Sequence, residues 1–414
     1  MSFQQNYLDL KSKMKKSNLV KESEVAFVKP PKPSYADEWA SRGLTLIENK
    51  FGYVFMKKQT YPFSYLHGTY TFEESKESIK QWMRKKVDHP LSPSKPKLMF
   101  FDTETTGLKG AGTYIFLSGQ LEILSDRVEL HQYVMANHDN EAAFLYETGL
   151  WKNDHTVVSY NGKSFDWPQL QTRWVFHRSV LPPLPDIRQL DLLHSSRRIW
   201  KNALERFPLT EMEKQVIGFV RKDDIPGHLA PMIYLDAIKS GYVDTLMKVL
   251  KHNEWDLLSL ISLYGFSTDL LLREKSLQDG TITATNIGKW FYDLQDYVTS
   301  KEHFEEIGKD HSKEEAAIAN YYLGLQFKKE KQYVEAISYF RQSINYLETK
   351  QRLDAWKQLA ILLEHKFFHY NEVNELCEKA IQYIEETTNI KQSMKTKLRL
   401  EWVKRKARVN RKQK

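Results

Sequence analysis

The chain has 414 residues, a formal net charge of +8 and 41% hydrophobic residues, enough for two or three domains with packed cores. Its one cysteine, Cys377, rules out disulfides and cysteine-rich zinc sites, and no run reaches the roughly 18–20 apolar residues needed to span a bilayer. The opening "MSFQQNYLDLKSKMKK" lacks the apolar centre of a signal peptide, so a cytoplasmic protein without a membrane partner is expected.

Residues 1–35 are polar and Lys-rich and close on "VKPPKPS", a linker composition; residues 44–72 alternate apolar and polar types as short strands do. Near Pro96 the pattern sharpens. "KLMFFDTE", "GTYIFLSGQLEIL" and "RVELHQYVMAN" read as an antiparallel meander, then a helix at about Asn140–Leu150, a strand in "HTVVSYNG" and an amphipathic helix from Asp166 to about His177. Helices dominate from Ile187 to Leu272, so the fold expected is α/β with a central mixed sheet and flanking helices. Beyond Lys275 the chain becomes all-helical: Leu323, Gly324 and Phe327 of one amphipathic helix are spaced to face Ala336 and Phe340 of the next. A looser copy begins at Trp356, Leu359 and Ala360 and returns through Val373, Cys377 and Ala380. Lys391–Lys414 holds eleven Lys/Arg against the single Glu401, leaving a slightly acidic body. Such a basic tail suits nucleic acid, an acidic protein or an anionic surface. The expected organisation is an N-terminal basic and strand-rich segment (1–95), an α/β domain (96–273), a helical region (274–390) and the basic tail (391–414).

The chemistry is concentrated in carboxylates. In "FDTETTGL" Asp102 and Glu104 are two apart on a strand, so they share a face and repel unless a cation lies between them. Asp166 follows a buried strand and a Gly turn, which puts it at a helix N-terminus, where Asp also serves as an N-cap. In "HNEWDLLSL" His252 and Asp256 are four apart and share a helix face. Asp191 either reaches the same pocket or caps a helix, and Asp224 precedes a Pro-Gly turn; neither is assigned to catalysis. Asp102, Glu104, Asp166 and Asp256 can share a pocket only with cations, and oxygen ligands suit a hard ion such as Mg²⁺ or Mn²⁺. Two such ions about 4 Å apart form a clamp for in-line attack on a phosphodiester.

"FDTETTGL" resembles the first motif of the DEDD 3′–5′ exonucleases of the proofreading type, "NGKSFD" their second and "HNEWD" their third, over roughly residues 97–265. The chain is similar to the YprB-type ribonuclease-H-like proteins of Gram-positive bacteria, in which this domain is joined to a C-terminal tetratricopeptide-like region. The resemblance implies a ribonuclease-H-like fold, metal ligands Asp102, Glu104, Asp166 and Asp256, and two divalent ions. His252 is then the general base, although it stands four residues before Asp256, the spacing of the Tyr-type enzymes; the alternative, that it holds Asp256 in place, stays open. Thr105, Gly107, Leu108 and Asn161 are placed against the terminal nucleotide, with Lys109, Lys163, Arg197 and Arg198 as candidate phosphate contacts. The function expected is a DNA 3′–5′ exonuclease in repair or processing. A ribonuclease, a ribonuclease-H-like endonuclease, and a non-catalytic adaptor recruiting a helicase through its helical repeats are the alternatives.

Overall fold

The computed structural model describes residues 28–107, 112–152, 155–273, 281–310, 316–388 and 390–413. Seven strands form one mixed sheet: β1 (Thr45–Asn49), β2 (Gly52–Tyr61), β5 (Leu98–Thr105), β6 (Ile115–Ile123), β7 (Val128–Met135), β8 (Thr156–Ser159) and β9 (Gln189–Asp191), in the order β1-β2-β7-β6-β5-β8-β9. The short hairpin β3 (Leu66–His67) and β4 (Tyr70–Thr71) stands apart. The meander expected from the sequence is β5-β6-β7, but the sheet does not stop near Pro96. β2 pairs antiparallel with β7 along its length, from Val54 opposite Met135 to Tyr61 opposite Val128. Residues 45–61 are therefore part of the α/β body.

β5 is where the sheet changes direction: it runs antiparallel to β6 and parallel to β8. Parallel strands deliver their carboxyl ends to the same edge, so Asp102 and Glu104 of β5 open on the side where β8 turns into the next helix. The longer helices of the body are α1 (Phe72–Lys85), α2 (Glu141–Glu147), α3 (Asp166–Phe176), α4 (Leu192–Ile199), α5 (Ala230–Ser240) and α6 (Asp244–Leu272), beside short helical turns at Ala36–Ser41 and Leu209–Met212. Side chains alternate along β5, so Met99 and Phe101 enter one apolar core and Leu98 and Phe100 the other. α6 bridges the two: Leu246, Val249 and Leu250 belong to the first core and Leu257 onward to the second. His252, Asn253 and Asp256 lie at the crossover.

The C-terminal region is all-helical: α7 (Thr281–Asp293), α8 (Tyr297–Asp310), α9 (Ala317–Lys329), α10 (Tyr333–Ser343), α11 (Thr349–Leu362), α12 (Tyr370–Glu386) and α13 (Gln392–Gln413). Gly324 lets α10 approach closely, since a Cβ there would stand 2.8 Å from the Phe340 ring. The basic segment, expected as a tail, is the helix α13, and it packs through buried Trp402 and Val409. Glu364, fully buried in a π-helical turn after α11, accepts bonds from Arg405 (2.8 Å), Arg408 (2.8 Å) and Lys412 (3.0 Å). Arg399 and Lys406 pair with Glu385 and Glu378. Five of the eleven cations of this segment are thus paired with the chain's own acids among the described residues.

Candidate metal and catalytic site

Asp102 lies opposite Gly119 in the β5–β6 ladder. The missing side chain at 119 matters, because a Cβ there would sit 2.3 Å from Asn253 Oδ1 and 2.5 Å from Leu257. α6 thus lies close over the strands, and Asn253 Nδ2 donates to Asp102 Oδ2 at 2.8 Å. Asn253 is itself oriented by Gln132, whose Nε2 donates to its Oδ1 at 2.9 Å. Thr103 points to the other face and its hydroxyl donates to Asp166, the first residue of α3. Glu104, His252 and Asp256 converge, each offering a ligand atom within 4.8 Å of the others. Three of the expected residues thus form one ligand-capable group, and Asp102 and Asp166 lie close enough for charge to act between them and its carboxylates.

Asp102, Glu104 and Asp166 are crowded rather than neutralised, whereas Asp256 is paired with Arg221. Burial and the charges of Asp256, Asp166 and Glu104 push the Asp102 carboxyl well above its ordinary range, against the opposing bond from Asn253. Burial and the charges of Asp256 and Asp166 push Glu104 up to about 8. Burial raises Asp166 to about 6, with the Thr103 bond opposing it. A cluster of partly desolvated oxygen donors that resist ionisation in the bare chain suits a hard divalent cation, which would restore their charged forms.

Around this core lies a shell the sequence did not single out. Asp224, expected only to serve its turn, does so by accepting from the Ile225 amide at 2.8 Å, but it also meets His252 Nδ1 at 2.8 Å. Arg221 donates to Asp256 Oδ1 at 2.6 Å, to Asp224 Oδ2 at 3.1 Å and to Glu213 at 2.6 and 2.8 Å. Asp191 resolves to the capping alternative: it accepts from the amides of Asn161, Lys163 and Leu193 at 2.9, 3.2 and 3.0 Å, and so shapes the second motif. The only signal for this shell in the sequence was proximity: Asn253 is inside "HNEWD", and Arg221 and Asp224 bracket "RKDD".

Of the expected substrate contacts, Thr105 bonds the Gly107 carbonyl at 2.7 Å and shapes the turn after β5, while Leu108 and Lys109 lie outside the described residues. Asn161 adopts φ 64° and lines a cleft of about 560 Å³ with Tyr160, Arg197 and Arg206. Arg197, Arg206 and Lys163 are exposed and make no ion pair among the described residues. Arg198 is exposed as well, and its guanidinium lies over the Trp290 ring at 5.3 Å.

The mixed sheet, its direction change at β5 and the acids on that strand define a ribonuclease-H-like protein, and residues 99–267 match the RNase_H superfamily. The chain is also 37% identical over 352 residues to the uncharacterized protein YprB of Bacillus subtilis (strain 168), spanning 84% of this chain and 85% of that one. It belongs to the YprB family, whose ribonuclease-H-like domain places it among proteins that are typically nucleases acting on nucleic acid. Among the described residues no helix is long and apolar enough to cross a membrane.

Proposed function

We propose that the protein is a metal-dependent 3′–5′ exonuclease that hydrolyses DNA phosphodiesters. The observation that carries the reading is the convergence of Glu104, Asp256 and His252, with Asp102 and Asp166 close enough for charge to act between them, in a site where Asp102, Glu104 and Asp166 resist ionisation without a bound cation. These four acids would hold two divalent ions, Mg²⁺ or Mn²⁺. Bound there, such ions acidify the attacking water and offset charge on the phosphoryl oxygens.

The protein's own groups do the rest. Asn253 and Thr103 hold Asp102 and Asp166 from opposite faces of β5. Asp224 accepts the Nδ1 proton of His252, which leaves the Nε2 lone pair facing the acids, 3.5 Å from Asp256 Oδ2. Nε2 then takes the proton from the attacking water. Arg197 and Arg206, in the cleft beside Asn161, steady the backbone of the strand being shortened. The helical region, with its tetratricopeptide-like hairpins, would dock a protein partner such as a helicase, in repair or processing.

The test uses 5′-labelled single- and double-stranded DNA and the RNA equivalents, with Mn²⁺ or Mg²⁺, and EDTA and Asp102→Ala controls. A ladder descending from the 3′ end of DNA, absent in both controls, is expected. Internal cuts would replace the reading by an endonuclease, and cleavage of RNA alone by a ribonuclease. Inactivity on all four polymers would leave the adaptor.

A further inference from the structure

A buried arginine in an acid-rich catalytic pocket needs an explanation, because its charge competes with any metal for the same carboxylates. Arg221 is 6% exposed in its side chain and Glu213 is 1% exposed. The Glu213 carboxylate receives Arg221 Nε at 2.8 Å and Nη2 at 2.6 Å, a two-point grip that fixes the plane of the guanidinium. Glu213 is in turn fixed from behind: Ser259 Oγ donates to it at 2.6 Å, and His67 Nε2 lies 2.8 Å from that hydroxyl. Burial lowers His67 to about 3, so its neutral ring donates Nε2–H to Ser259. The chain His67–Ser259–Glu213–Arg221 runs from the β3–β4 hairpin to the site.

The free edge of the clamped guanidinium meets three functional groups. Nη2 donates to Asp256 Oδ1 at 2.6 Å, and Nη1 donates to Asp224 Oδ2 at 3.1 Å and stands 3.2 Å from His252 Nδ1. Nη1 and Asp224 make opposite demands on Nδ1: a carboxylate needs a proton there, an arginine needs a lone pair. Asp224 is the closer, at 2.8 and 2.9 Å, and Arg221 holds it there, whereas the carboxylate facing Nε2, Asp256 Oδ2, stands farther off at 3.5 Å. The fixed cation therefore pins the acid that selects the tautomer and, with the same nitrogen that grips Glu213, sets the orientation of Asp256.

We propose that Arg221 is a positioning residue: clamped by Glu213, it holds Asp224 against His252 Nδ1 and Asp256 toward the acids, so that His252 presents a bare Nε2. The consequence for catalysis rests on the exonuclease reading; the placement of the proton does not. Long-range ¹H–¹⁵N spectra of the metal-free protein at about pH 8 read the tautomer directly, with the His252 signal identified by its loss in His252→Ala. Nδ1–H with a bare Nε2 is expected in the wild type, and a mixture of tautomers in Arg221→Gln and Arg221→Lys, since lysine keeps the charge but not the fork. In the nuclease assay both variants should lose about 100-fold in kcat at nearly unchanged KM, the scale of a general base put out of place. A wild-type His252 protonated on Nε2 overturns the proposal, and this result needs no variant to fold. So does a wild-type tautomer, or wild-type kcat, retained in either folded variant. A wild type inactive on every polymer removes the exonuclease reading, and the tautomer comparison still decides the placement.

Discussion

The two halves of the molecule bury carboxylates in opposite ways. In the helical region Glu364 has no exposed surface, yet although burial would raise its carboxyl, the bonds from Arg408 and Lys412 bring it down to about 2. On β5 burial wins: Asp102 and Glu104 are pushed up, and the Asn253 bond lowers Asp102 only in part. A buried acid surrounded by the chain's own cations is a rivet. Acids crowded together with too few cations are a binding site, stable only because protons or an added cation lower their mutual repulsion.

Reciprocal substitutions break this comparison most strongly. Asp102→Asn should abolish nuclease activity, by at least about 1,000-fold as expected for a lost metal ligand, while the metal-free protein melts no lower than the wild type because a crowded charge is gone. Glu364→Gln should do the reverse. It leaves Arg405, Arg408 and Lys412 without their anion and should cost on the order of 3 kcal/mol by denaturant titration, with kcat intact. A stable Glu364→Gln, or a strongly destabilised Asp102→Asn, would end the distinction.

Protons give a second, smaller contrast. Glu104 at about 8 and Asp166 at about 6 lie above ordinary carboxylates, so between about pH 4 and 8 the folded chain binds more protons than the unfolded one. Stability of the chelated protein should therefore fall as pH rises through that window, and Mn²⁺ should reduce the fall; melting curves at about pH 5 and 8 check this. Glu364 acts with the opposite sign. Its contribution is present above the unfolded value near 4.3 and is lost as pH drops toward 2. The smallest effect concerns the cleft: Arg197→Ala with Arg206→Ala should raise KM several-fold, flatten the salt dependence of binding and leave kcat unchanged.

How much of this was readable in the sequence depended on range. The apolar run ahead of Asp102 and Glu104 announced a buried strand with two acids on one face, and the four-residue spacing of His252 and Asp256 announced a shared helix face; both hold in β5 and α6. The amphipathic spacing of Leu323, Gly324 and Phe340 likewise announced the close contact of α9 with α10. Arg221 was invisible as a partner of His252 because 31 residues separate them, and only the return of the 218–227 loop onto α6 closes that gap. Asp224 had a sufficient local role, so nothing in its surroundings demanded a second. The packing of the basic segment was hidden for a related reason. Glu364, the anion for Arg405, Arg408 and Lys412, lies 41 residues before Arg405.

Short periodicities along the chain encode the strand and helix that carry the acids, the α/β body and the helical region that follows. Which strands complete the sheet, which acids find a cation within the chain and which carboxylate meets His252 Nδ1 emerge only from the folded contacts. Those outcomes turn on distances of a few ångströms between residues remote in the chain, and local propensity carries no information about them.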